Sequence, residues 1–83
     1  MRYPLYEESD GICMTYVFKS DPPCMEVYVE IPTDTGFDSA KYDYPDDRFC
    51  EVNMSSENMI LFMDSLRKCR SVIADIWNEH EKK

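Results

Sequence analysis

Glycine is scarce in this 83-residue chain, which holds only Gly11 and Gly36. A phosphate-cradling loop needs several glycines so that backbone N–H groups can approach the ligand, so P-loop and dinucleotide-binding sites are excluded. Histidine is scarcer still. The single one, His80, lies among Glu79, Glu81, Lys82 and Lys83, a setting that predicts a solvated ring near a helix end. No two of the four cysteines (Cys13, Cys24, Cys50, Cys69) have the C-x₂₋₄-C spacing of a structural zinc site. A nucleophilic cysteine needs a base or an electropositive setting, and the acidic surroundings of Cys13 and Cys24 work the other way. No run approaches the roughly 20 apolar residues of a membrane span. Positive charge is also short, with 9 Lys and Arg against 17 Asp and Glu for a net charge of −8. Nucleic acid and anionic membrane, both polyanions, are therefore poor ligands.

What is present is one long amphipathic stretch and a series of alternating ones. Over residues 55–80 the apolar residues Met59, Phe62, Leu66, Cys69, Ile73 and Ile76 recur at steps of three and four, which predicts a single helix. Ile60, Met63 and Trp77 are expected to widen that stripe into the core-facing side. Ser55 or Ser56 is the expected N-cap, with Glu57 favourably placed in the first turn.

Upstream the period is two. Residues 12–19 and 24–31 read as a hairpin joined by Ser20-Asp21-Pro22-Pro23. Pairing Lys19 with Cys24 puts Ile12, Met14, Tyr16, Phe18, Met25, Val27, Val29 and Ile31 on one face, and a one-residue slip would scatter them. The other face, including Glu26, Tyr28 and Glu30, is left to solvent or a partner. Residues 2–7, with Pro4, read as an edge strand, and Ser9-Asp10-Gly11 as a turn. Residues 37–44 and 48–54 are expected to pair as Tyr44 with Arg48, placing Ala40, Tyr42, Cys50, Val52 and Met54 on the core side and Lys41 opposite Glu51. The predicted fold class is α+β: an antiparallel β-sheet meander of three to five strands, packed on one face by a long C-terminal helix. It forms a single domain over residues 1–83, with the sheet in 2–54 and the helix in 55–80.

Residues 1–58 carry 13 acidic and 4 basic side chains, and residues 59–83 carry 4 and 5. The expected sheet and its loops thus hold all of the excess negative charge. Carboxylates two residues apart on a strand are about 6.6–7 Å apart, similar to phosphates along a nucleic-acid strand. Interleaved tyrosines add rings of the kind enriched at interfaces. This pattern predicts a small acidic, non-enzymatic inhibitor that binds a basic, nucleic-acid-binding protein by nucleic-acid mimicry, as phage anti-CRISPR or anti-restriction proteins do. Glu26, Tyr28, Glu30, Asp46 and Asp47 are the expected partner-binding residues. Asp43, Asp46 and Asp47 crowd one turn, and Asp34 and Asp38 flank Gly36. Neither group follows the D-x-[DN]-x-[DN]-G calcium loop, so no metal and no cofactor is expected. The opening Met1 to Glu8 lacks the apolar core of a secretory leader, which predicts a cytoplasmic protein with four free thiols.

Arg2-Tyr3-Pro4, Asp10-Gly11 and Pro22-Pro23-Cys24 together resemble the opening of HicB-type antitoxins, over under a third of the chain. That resemblance implies a helix soon after the cysteine, where the alternation of residues 25–31 instead predicts a strand. It supports an alternative reading as an antitoxin or immunity protein neutralising a toxin. A second alternative is a homo-oligomeric structural domain, possible as a homodimer, with incidental acidity.

Overall fold

The computed structural model describes residues 2–7, 11–20 and 23–82. Five strands, β1 (Tyr3–Glu7), β2 (Cys13–Ser20), β3 (Pro23–Thr33), β4 (Gly36–Tyr44) and β5 (Arg48–Asn53), precede one helix, α1 (Ser56–Glu81). All neighbours pair antiparallel in the order β1-β2-β3-β4-β5, and α1 packs on one face, which makes the protein α+β. Residues 8–10 and 21–22, which hold most of the two predicted turns, lie outside the described residues. Gly11, beyond the first of them, has φ +97°, and a Cβ there would come within 2.9 Å of the Pro32 ring. Only glycine meets both demands.

The β2–β3 register is the one the alternation predicts, with Lys19 opposite Cys24 and Cys13 opposite Glu30. Met14, Met25, Val27 and Val29 are fully buried on the helix side. β3 runs unbroken from Pro23 to Thr33, so no helix follows Cys24 and the chain departs there from the HicB-like pattern.

The β4–β5 register differs from expectation. Asp43, not Tyr44, faces Arg48, and Tyr42 faces Phe49. Between Ser39 and Lys41 the register shifts, and beyond the shift Ser39 faces Asn53. Glu51, at φ +51°, is the extra residue of a β-bulge. One longer loop residue and one bulge residue cancel, so the expected pairing holds only past the bulge. Two consequences follow. Phe49 turns inward and packs edge-on against Phe62, while Cys50 turns outward to Asp43 instead of into the core. Val52 is 47% exposed. The bulge also brings Glu51 within 3.8 Å of Lys41, so the expected ion pair forms although Lys41 faces Cys50 across the ladder.

Ser55 is the N-cap, accepting from the Asn58 N–H at 3.2 Å. Asp38 of β4 ties the helix start to the sheet through the Ser55 N–H (2.9 Å) and the Asn58 side-chain amide (2.8 Å). Phe62, Leu66, Cys69, Ile73 and Trp77 are buried against the sheet, and Met59 and Ile76 are partly so. At the far end His80 is exposed but not merely solvated, since its ring stacks on Phe18 at 3.7 Å. Ile60 and Met63 are 68% and 52% exposed, contrary to their expected place in the core. The reason is width. Five strands at about 4.8 Å spacing span roughly 19 Å, and one helix about 10–12 Å across covers only part of that.

Candidate interaction surface

The outer face of the sheet, away from α1, carries the alternate residues of β2, β3 and β4. Glu26 lies at its centre and is only 7% exposed. Its carboxylate accepts from the Tyr28 hydroxyl at 2.8 Å and the Lys41 ammonium at 3.1 Å, with Lys19 at 3.8 Å. Burial alone would raise the Glu26 pKa. The bonds from Tyr28 and Lys41 and the charges of Lys41 and Lys19 outweigh it and hold the carboxyl below its ordinary value. The same bond to Glu26 pushes Lys41 up. Tyr28 is raised by burial and by its bond to Glu26. The Arg2 guanidinium lies over the Tyr28 ring, 4.1 Å from its centroid. Asp43, 6% exposed, receives Arg48 at 3.4 Å and the Cys50 thiol at 3.6 Å, both on Oδ2, while its buried Oδ1 has no hydrogen-bond partner among the described residues.

All four basic side chains of residues 1–58, Arg2, Lys19, Lys41 and Arg48, are therefore engaged on this face. Each lies opposite a carboxylate or a tyrosine ring. The expected partner-binding residues separate accordingly. Glu26 does not project into solvent; it is an internal brace for Tyr28 and Lys41. Tyr28 is half-buried, and Glu30 is exposed two residues further along β3. Asp46 and Asp47 are exposed in the β4–β5 loop. Asp47, at φ +58°, accepts from the Tyr42 hydroxyl at 2.5 Å and lies 3.9 Å from Arg70 of α1. It thus belongs to the helix side, and the sheet separates it from Glu26, Tyr28 and Glu30.

On the helix side an open groove of about 640 Å³ lies between α1 and the β4–β5 hairpin. Tyr42, Tyr44 and Phe49 form one wall, and Ile60, Met63, Leu66 and Ile73 the other, with Asp47, Asp64, Arg67 and Arg70 at the rim. The groove has only an indirect trace in the sequence. Its signal was an apolar helix face broader than one stripe, which implies more apolar surface than a lone helix can bury in a thin sheet protein.

Burial, followed by the nearby Asp43 carboxylate, pushes the thiols of Cys24 and Cys50 up, away from the reactive thiolate. None of the four cysteines is joined in a disulfide. Among the described residues no three His, Cys, Asp or Glu side chains gather to hold a metal ion, and no helix is long and apolar enough to cross a membrane.

The fold and this surface define a small α+β protein with a charge-paired outer face and an apolar groove. Comparison with protein-family models, characterised proteins and solved structures finds no match to this chain.

Proposed function

We propose that the protein is a non-catalytic inhibitor that binds a basic, nucleic-acid-binding protein in the cytoplasm, acting as an anti-CRISPR or anti-restriction factor acts. One observation carries this reading: the sheet half of the chain commits all four of its cations to the outer face, so none of its own basic side chains is left to match its remaining exposed carboxylates. Glu30, Asp34, Asp46 and Glu57 are such groups. They sit on strands, tight turns and the first turn of α1, so little side-chain ordering is needed to present them. Tyr28, pinned by Glu26 at its hydroxyl and by Arg2 at its face, is the preorganised ring a partner would pack against. Glu26 acts through Tyr28 and does not touch the partner.

The test begins with capture of partners from the native host at low salt, identified by mass spectrometry. Association rates are then measured at two salt concentrations. Reversing Glu30 and Asp46 to lysine is expected to slow association about tenfold and flatten its salt dependence. Reversing Asp75 and Glu79 on the outer side of α1 is expected to do much less. If the helix pair matters and the other pair does not, charge mimicry by the sheet half is wrong.

A further inference from the structure

We infer that the groove between α1 and the β4–β5 hairpin is a self-association surface, occupied by the helix of a second copy of this chain. The sheet is about 19 Å wide and α1 covers about 10–12 Å of it. The strip left bare over β4 and β5 is about 7–9 Å wide, too narrow to bury a second helix within the chain but wide enough to seat one side of a helix from outside. The apolar groove of about 640 Å³ lies in that strip, and Ile60 and Met63 stand at its edge, 68% and 52% exposed. Scattered exposed apolar residues are ordinary, but an exposed pair bordering an apolar groove marks an interface.

Charge selects the occupant. The rim carries two carboxylates, Asp47 and Asp64, and two guanidiniums, Arg67 and Arg70, so it is neutral on a molecule of net charge −8. Arg67 and Arg70 have side chains 79% and 65% exposed, each beside a rim carboxylate, so the rim offers no net attraction to a basic partner, which separates this groove from the surface proposed above. A strongly acidic partner finds no net positive charge on this rim. A second copy meets a rim that is its own complement, as a two-fold interface requires. Asp64, beside Arg67 at 2.5 Å and Lys68 at 3.3 Å, can exchange these contacts with the same residues of an antiparallel second helix. At about 0.15 M salt, charges more than roughly 8 Å from the contact are largely screened. The neutral contact region then governs the encounter.

Sedimentation of the purified protein from about 5 to about 500 µM, at about 0.15 and 1 M salt, tests this. The expected result is a reversible dimer that persists at the higher salt. Replacing Ile60 and Met63 together by glutamate should leave the circular dichroism unchanged, since both side chains are exposed. It should weaken dimerisation at least about tenfold, the effect of placing charge in an apolar contact. R67E should weaken it at low salt and less so at high salt. A wild type that stays monomeric throughout overturns the inference, as does a dimer indifferent to the Ile60 and Met63 replacements. A monomeric wild type whose partner binding is lost on those replacements would assign the groove to the partner. The sedimentation readouts do not use partner binding, so the two proposals stand or fall separately.

Discussion

At the scale of single residues, Glu26 holds the outer face together. Sequence alternation places it on the side away from the core, and it does lie there, yet it is buried beneath Lys41, Lys19 and Tyr28. Glu26→Gln is expected to cost about 1–3 kcal/mol, since it removes the charged acceptor of two hydrogen bonds. Glu26→Lys should cost about 3–5 kcal/mol by setting like charges together where an ion pair stood. Urea denaturation checks both, and a change below about 0.5 kcal/mol for either would show that the cluster is only decorative. The linkage sign follows from the direction of the shift. The Glu26 carboxyl is held below 4.5 in the folded protein. Its stabilisation is complete above that value and is lost as pH falls through the folded pKa. Tyr28, Lys41 and Tyr42 are shifted upward, Tyr42 by burial and then by its bond to Asp47. Their contributions are complete below the unfolded values, the lowest being 10.0 for the tyrosines, and are lost as pH rises above it. The raised thiols of Cys24 and Cys50 bring the upper limit down to their unfolded value of 9.0, so the urea midpoint should hold between 4.5 and 9.0 and fall on both sides, with the acid limb weakened in Glu26→Gln.

At the scale of elements, α1 is placed by its two ends and one stripe. Ser55 and Asp38 fix the start, and the Phe18–His80 stack fixes the finish. Ser55→Ala should cost about 1 kcal/mol through the lost cap. The Asp38 carboxyl is held low by the bonds from the Ser55 backbone and the Asn58 side chain. Fraying of the first turn should therefore begin as pH falls below 3.8, and hydrogen exchange at Asn58 and Met59 would report it. In the middle, Leu66 is 8% exposed within the core cluster. Leu66→Ala should cost roughly 2–5 kcal/mol; a much smaller loss would mean that the neighbouring groove simply closes over the deleted atoms. The edge strands are also managed. β1 carries Pro4 and a register shift, and β5 carries the Glu51 bulge. Both features discourage further strand pairing, which leaves the groove and the outer face as the surfaces suited to recognition.

At the scale of the whole molecule, helix length sets the shape. Twenty-six helical residues span about 39 Å, matching the longest extent of 42 Å. Charge is partitioned across this body. The outer sheet face is internally paired, the groove rim is neutral, and exposed acids crown the turns and the helix start. Partner association driven by that charge should be fast at low salt and fall steeply as salt rises. A self-associated form held by Ile60 and Met63 should not fall in this way. The thiols supply an independent check on the compartment. Freshly isolated protein, denatured without reductant, should titrate as all four cysteines, Cys13, Cys24, Cys50 and Cys69, in free form; titration near zero would contradict a cytoplasmic location.

The alternation of residues 12–19 and 24–31, the three-and-four spacing of Phe62, Leu66, Cys69 and Ile73, and the Ser55 cap determined the β2–β3 register, the helix and its buried stripe. Those signals are local or involve strands joined by a short turn, where one shift would turn apolar side chains out into water. The partners of Glu26, the inward turn of Phe49 in place of Cys50, and the groove beside Ile60 and Met63 were decided only in the tertiary structure. Lys41 is 15 residues from Glu26, and nothing in the spacing says that β4 will lay its cation over that carboxylate. A bulge at Glu51 preserves the composition of a strand while exchanging which side chains face the core. The groove exists because a single helix is narrower than five strands, a relation between whole elements that no stretch of the chain encodes by itself.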